Sequence, residues 1–297
     1  MISAGTDKLI RSRVRKNEFF RILILILSSF TVIPIILITL KILVKGIRQI
    51  NFSFFTEGSP DSMQAMAAVA NNEAIPGGIA NGITGTLLIV LFASAMAIPA
   101  GLMIGVYLSE NQKSRYSSLV RSITEMLQGV PSIVLGIISY LWIVKNITNG
   151  FSAFAGSVAL GIMMLPLIIR STEETIKMIP SEIREAAYAL GTPYHRMIIK
   201  VLIPTGFSGL STGILLSLSR IIGETAPLMM TALGSSFISY DITKPSSAVP
   251  LLIWEFYNDP NMIGLVWSSS LFLMALVLIL NISSRMMSSK NNPGRKR

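Results

Sequence analysis

Apolar positions along this chain gather into long blocks, and polar positions collect in the gaps between them. A helix needs about 20 apolar residues to cross a hydrocarbon core. Six blocks predict such spans: Phe19–Val44, Ile83–Leu108, Val130–Val144 with an N-terminal extension, Ser152–Ile169, Phe207–Leu233 and Ile263–Ser283. The expected fold class is therefore all-α, a polytopic membrane protein with six transmembrane helices. The third block has two readings. "YSSLVRSITEMLQGVPSIVLGIISYLWIV" is either one kinked helix, or an interfacial helix ending at Gly129 followed by a span. The first block begins basic, as a signal peptide does. Its apolar run is too long and no small-residue cleavage site follows, so it reads as a retained span. Two gaps are long, Asn51–Ala80 and Gly234–Asn261. The second contains "VPLLIWEFYNDP", which suits a short interfacial helix with Trp254 and Tyr257 at headgroup level. Each gap is either a simple connection or a gate or docking surface for an external partner.

Composition sharpens this picture. Of 297 residues, 51% are hydrophobic and only 13% are charged, against about 25% charged in a soluble domain. There is no cysteine, which excludes disulfides and thiolate chemistry. The net charge of +10 raises nucleic acid as a partner, but the cations sit between apolar runs rather than along one amphipathic face. Membrane topology explains them better, and no nucleic-acid partner is expected. With the N-terminus in the cytoplasm, the outer gaps hold only Lys41, Lys45, Arg48, Lys145 and Lys244. Arg220 lies within a span, and the remaining Lys and Arg fall inside. That asymmetry predicts both termini in the cytoplasm. Lys41, Lys45 and Arg48 are a local exception, with stems long enough to snorkel to membrane lipid headgroups. The expected organisation is a basic cytoplasmic N-terminus at 1–18, a first transmembrane helix at 19–44, and an external loop at 45–80. A membrane core follows at 81–284 with a cytoplasmic loop at 171–205, then a basic tail at 285–297.

Two polar features interrupt the hydrocarbon. The first is "EAAYALGTPYHRMIIKVLIP", Glu185–Pro204. Ser181 suits an N-cap after Pro180, a helix then runs to Leu190, and Gly191 suits the C′ position. Thr192 suits the next cap with Pro193 at the first helical position, and the second arm ends at Pro204. The second feature is in the fifth span, "GLSTGILLSLSRIIGETAPLMMTALG". Arg220 and Glu224 are four apart, so they are expected to share one helix face. Pro227 cannot donate to the carbonyl of Gly223, so a kink is expected just past Glu224. A charged pair at that depth is costly and usually faces a cavity or partner. It is either a structural ion pair or part of an anion path, the guanidinium orienting an oxyanion.

Other signals are weaker. Gly101 with Gly105, and Gly209 with Gly213, fit close helix packing. His195 is the only histidine, so no metal site and no catalytic constellation is expected. No G-x-x-x-x-G-K-[S/T] phosphate loop occurs, so this chain is not expected to bind ATP in that way.

The spacing E-A-A-x3-G-x9-V-x-I-P resembles the cytoplasmic coupling loop of permease subunits in bacterial ABC importers. The "VLIP" ending departs conservatively from that family's usual I-x-L-P. The resemblance implies that Glu185, Ala186, Ala187 and Gly191 form an ATPase-coupling loop. "SRIIGETAPLMMTA", with "GGIANGITGTLL" and "GVPSIVLG", resembles the phosphate-specific permeases, closely the PstA type, over roughly residues 76–284. That resemblance implies an ABC transmembrane type-1 permease fold and a substrate pathway at Arg220, Glu224 and Thr225, beside the kink at Gly223 and Pro227. It also implies the partners: a second permease subunit of PstC type, PstB-type ATPase subunits at the cytoplasmic face, and an external phosphate-binding protein of PstS type. Inorganic phosphate would be the cargo. This chain itself would carry no cofactor, ATP and magnesium belonging to the partner ATPase. Two alternatives remain at this point: a permease for another oxyanion, molybdate or sulfate, and an ion-coupled secondary transporter, which would show paired broken helices in inverted halves.

Overall fold

The computed structural model describes residues 3–71 and 73–290, with side chains from 13 to 286. Most of the basic tail expected at 285–297 lies outside the described residues. Among the described residues five helices are long and apolar enough to cross a membrane, six if one bent pair is counted as a span. In chain order the helices are α1 (Ser3–Gly46), α2 (Phe52–Thr56), α3 (Ser62–Ala70), α4 (Ala80–Glu110), α5 (Arg115–Gly129), α6 (Ser132–Ser139), α7 (Ala153–Lys177), α8 (Ser181–Ala189), α9 (Tyr194–Met197), α10 (Ile203–Ile222), α11 (Ala226–Thr231), α12 (Val249–Tyr257) and α13 (Ile263–Lys290).

Helix α7 is the centre of the bundle, with two thirds of its most apolar stretch buried. The flanking helices reach it closely because they present glycines. A Cβ at Gly101 would lie 2.7 Å from Ile168 Cγ2, and one at Gly105 would lie 2.5 Å from Thr172 Cβ. On the other side, Gly209 and Gly213 of α10 face Thr175 and Ser171. Lipid tails are as apolar as leucine, so helices in a bilayer associate through such close packing rather than through hydrophobic exclusion. The two glycine pairs thus have the packing role that their spacing suggested.

The third block does not run as one continuous helix. Helix α5 ends at Gly129, and a 103° bend separates it from Ser132–Val144, whose last turn is π-helical. That second segment rises roughly 20 Å at 1.5 Å per residue, too short to cross alone. Only taken together do the two segments have the length and apolarity of a span, bent at the break.

The fifth span differs from its expected limits at both ends. It runs without interruption from Tyr194 to Ile222, so the second arm of the polar loop does not end at Pro204 but is the start of the span. A π-helical turn at Ile198–Leu202 precedes the proline, with Ile203 N–H donating to Ile198 O. A wider turn just before Pro204 relieves the clash that its ring would make in a regular helix. At the far end the helix stops rather than kinks. Gly223 is its C-cap, Thr225 is the N-cap of α11, and Pro227 occupies the first turn of α11.

The long gaps are not loose connections. Phe54, Ala65, Ile75 and Ile79 from the first pack with Val249, Leu252 and Phe256 from the second in one core. Asn81 ties them together: its Oδ1 accepts from Ser59 N at 3.2 Å and its Nδ2 donates to Ser235 O at 2.7 Å. The small residues of "GGIANGITG" have a physical reason here, since a Cβ at Gly82 would lie 2.5 Å from Leu252 Cδ1. The expected interfacial helix exists as α12. Its Trp254 and Tyr257 are exposed, while Val249, Leu251, Leu252 and Phe256 are buried.

Candidate functional site

Helix α8 and its turn form a compact motif at the end of the bundle away from α12. The helix closes at Leu190, and Gly191 has φ +71°. Gly191 N–H donates to Tyr188 O at 2.9 Å, and Thr192 N–H donates to Ala187 O at 3.1 Å. This pair of bonds is a Schellman closure, which requires a left-handed C′ residue and therefore favours glycine. The expected C′ role of Gly191 is met. Both N-caps are displaced by one residue: α8 is capped one residue earlier than expected, by Pro180 rather than Ser181, and α9 one residue later, by Pro193 rather than Thr192.

The four residues of the loop motif divide by burial. Ala187 is buried among Val106, Ile176, Ile179, Met197, Leu202 and Leu210. Its small side chain lets α8 lie close to the span ends. Glu185, Ala186 and Gly191 are exposed, and Leu190 is 86% exposed at the tip. The motif therefore has an anchored side and a free, partly apolar face.

Sequence reasoning missed what holds α8 in place. Arg184 Nη2 lies 3.1 Å from Glu110 Oε1 and donates to Ile176 O at 3.0 Å. One side chain thus joins α8 to the last residue of α4 and to α7. A second cation serves the same helix end. Arg121 of α5 donates to Leu108 O at 2.9 Å and Gln112 O at 3.2 Å, and its Nε pairs with Glu173 at 2.7 Å. Glu173 also takes Lys177 Nζ at 2.6 Å. Cations at the C-terminal end of α4 offset its unpaired carbonyls. The i,i+4 spacing of Glu173 and Lys177 was visible in the sequence, but nothing there pointed to Arg121.

The second site lies at the break after α10. Arg220 Nε is 3.7 Å from Glu224 Oε1. Glu224 stands beyond the helix end, so the pair does not share a helix face as expected; it closes across the break. Glu224 N–H donates to Ile221 O at 3.2 Å, which turns the chain back at this point. Arg220 is half exposed and Glu224 one fifth exposed. On α10 Arg220 is exposed between the buried Ser219 and Ile221. Pro227 is buried against α6, where a Cβ at Gly136 would lie 2.7 Å from Pro227 Cα. "GVPSIVLG" and "GETAPL" are thus two halves of one contact. Thr225 is half buried beside Glu224. The loop motif and Arg220 do not meet: roughly 40 Å of helix separates Tyr194 from Arg220 at 1.5 Å per residue. One continuous helix joins them.

The fold, the loop motif and the charged break together have the form of a transport subunit, and comparison with known proteins decides the family. The sequence profile of the binding-protein-dependent transport system inner membrane component matches residues 97–292, which include α8, α10 and the break. The chain belongs to that family. This permease is 37% identical over 281 residues, 94% of its length and 92% of the other's, to the phosphate transport system permease protein PstA of Yersinia pestis. It is 31% identical over 276 residues, 92% and 94% of the two chains, to PstA of Pasteurella multocida. A chain of the MetNI methionine ABC transporter in an inward-facing conformation matches with a TM-score of 0.56 at 18% identity, over 71% of this permease and 93% of that chain. At that identity the likeness establishes the type-1 ABC permease fold and says nothing of cargo. The permease is a multi-pass inner-membrane transport component, not an enzyme. Its system comprises a partner permease, a separate ATPase subunit and a binding protein.

Proposed function

We propose that this permease forms half of the translocation path for inorganic phosphate in an ATP-driven importer. The observation that carries the reading is the Arg220–Glu224 pair. A half-exposed guanidinium near the end of a membrane-spanning helix is costly against lipid. A second permease subunit covering that face would turn it into a polar path between two subunits. A guanidinium suits an oxyanion because its planar fork of donors matches two anion oxygens. Glu224 holds Arg220 while the path is empty and is displaced, or accepts a bond from a partly protonated anion, when phosphate passes. The 37% identity to a protein named for phosphate transport favours phosphate over molybdate or sulfate.

The partners in this reading are a PstC-type permease, PstB-type ATPases that bind ATP and magnesium, and a PstS-type external phosphate-binding protein. Glu185, Ala186 and Gly191 form the exposed face for an ATPase on the cytoplasmic side, anchored to the bundle through Ala187, with both termini on that side. Closure of the ATPases moves α8, and the unbroken helix from Tyr194 to Ile222 carries that movement to the break at Gly223.

The test is uptake of labelled phosphate by cells with this permease and its partners. Arg220→Gln removes the charge but strands Glu224, so its loss of uptake is expected on either reading. The double variant Arg220→Gln with Glu224→Gln leaves no unpaired charge. It should assemble with its partners and remain inactive. Substantial uptake by the double variant would return the pair to a packing role.

A further inference from the structure

Three cations at the α12 end of the bundle stand apart from the other basic residues. Lys41, Lys45 and Arg48 follow at intervals of four and three, so they line one face of α1 and of the 3-10 turn Ile47–Gln49 that extends it. All three are exposed. Among the described residues none of them makes an ion pair. Yet two of them share one aromatic ring: Lys41 Nζ lies 5.6 Å and Lys45 Nζ 5.2 Å from the centroid of Trp267. Like charges four apart on a helix repel, and the ring offsets only part of that.

The arrangement is held by a close helix crossing. A Cβ at Gly46 would lie 2.7 Å from Leu271 Cβ, and Ser268 Oγ donates to Gly46 O at 2.7 Å. That crossing sets α1 on α13 and sets both ammonium groups over the ring. The Trp267 indole N–H makes no hydrogen bond within the described residues, so a donor is free beside the cations. No part of the apolar stretch of α1 is buried by this chain.

We propose that Lys41, Lys45, Arg48 and Trp267 form a seat for the phosphate of an anionic phospholipid, in the leaflet at the α12 end. The lipid phosphate supplies the counter-charge that the chain lacks. Lysine stems run up from within the span while their heads reach the headgroup layer, where tryptophan rings also sit. Such a site also accounts for three cations on the side where the charge asymmetry disfavours them. The proposal is independent of the cargo.

The test uses the full chain in nanodiscs, with Trp142 and Trp254 changed to Phe so that Trp267 is the remaining indole of the three. Brominated acyl chains quench the ring only when their lipid lies against it. Brominated phosphatidylglycerol, doped into phosphatidylcholine, should quench Trp267 more than brominated phosphatidylcholine does. Each of Lys41→Gln, Lys45→Gln and Arg48→Gln should weaken that preference by about fivefold, and all three together by roughly a hundredfold. Quenching of the triple variant by brominated phosphatidylcholine should persist, because α1 remains seated through Gly46. Equal quenching by the two lipids in the unaltered chain overturns the proposal. So does loss of quenching by both lipids in the triple variant, which would mean that the charges only hold α1 on α13. Relief of the phosphatidylglycerol preference by excess inorganic phosphate would assign the seat to a free anion and also overturn it.

Discussion

Replacing Arg184 by Met should loosen the coupling motif while leaving the spans intact. Arg184 is 21% exposed and Glu110 13% exposed, with 3.1 Å between the charged atoms. Loss of a partner from a fully buried pair costs roughly 3–5 kcal/mol. A surface pair is worth about 0–1 kcal/mol. This pair lies between those limits and is an ion contact rather than an aligned hydrogen bond. The charge-assisted bond to Ile176 O, 3.0 Å long, adds to the loss. Together these give about 2 kcal/mol, or roughly thirtyfold in the population of docked α8. Glu110→Gln alone should cost less, because Arg184 keeps the carbonyl of Ile176. The double variant should recover about 1 kcal/mol of the summed losses, since no stranded carboxylate remains. The assay is a double-mutant cycle on thermal unfolding of the assembled transporter, with substrate moved per ATP hydrolysed measured in proteoliposomes. Arg184→Met should lower that ratio while ATP hydrolysis continues. Zero coupling energy in the cycle together with a normal transport ratio would refute the claim that this pair ties α8 to α4.

Two further predictions follow from single residues. At Gly191 a Cβ would meet nothing within 4 Å, while φ is +71°, so the cost of substitution is conformational rather than steric. Gly191→Ala should cost about 1 kcal/mol, Asn less and Val more, and co-purification of the ATPase should fall in the order Gly, Asn, Ala, Val; normal retention by the Val variant would make the turn an ordinary connection. Burial raises the Glu255 carboxyl above its ordinary value of 4.5. Its contribution to stability is therefore fully present below 4.5 and lost as pH rises through the raised value. Melting temperature should fall over that rise, and Glu255→Gln should flatten the profile; an unchanged slope in the variant would assign the dependence to another group.

Features determined by neighbours along the chain were legible in the sequence by itself. The number of spans follows from block length, because each needs enough apolar residues to cross hydrocarbon. The C′ position of Gly191 follows from a backbone preference that acts within one turn. The glycine pairs of α4 and α10 pointed to packing for a similarly local reason, the absence of a side chain. Tertiary structure decided what depends on residues far apart. Pro227 suggested a kink, but the chain breaks at Gly223, where Gly136 on another helix leaves room for the Pro227 backbone. Glu224 therefore meets Arg220 across a break rather than along a helix. Arg121 and Arg184 were indistinguishable from other cytoplasmic-side cations until the fold brought α4 and α7 beside them. The bend at Gly129 and the joining of the two outer stretches through Asn81 are of the same kind. Local backbone preference and hydrophobic length are written residue by residue; the partner of a buried charge, and the room that a glycine leaves, exist only once distant segments meet.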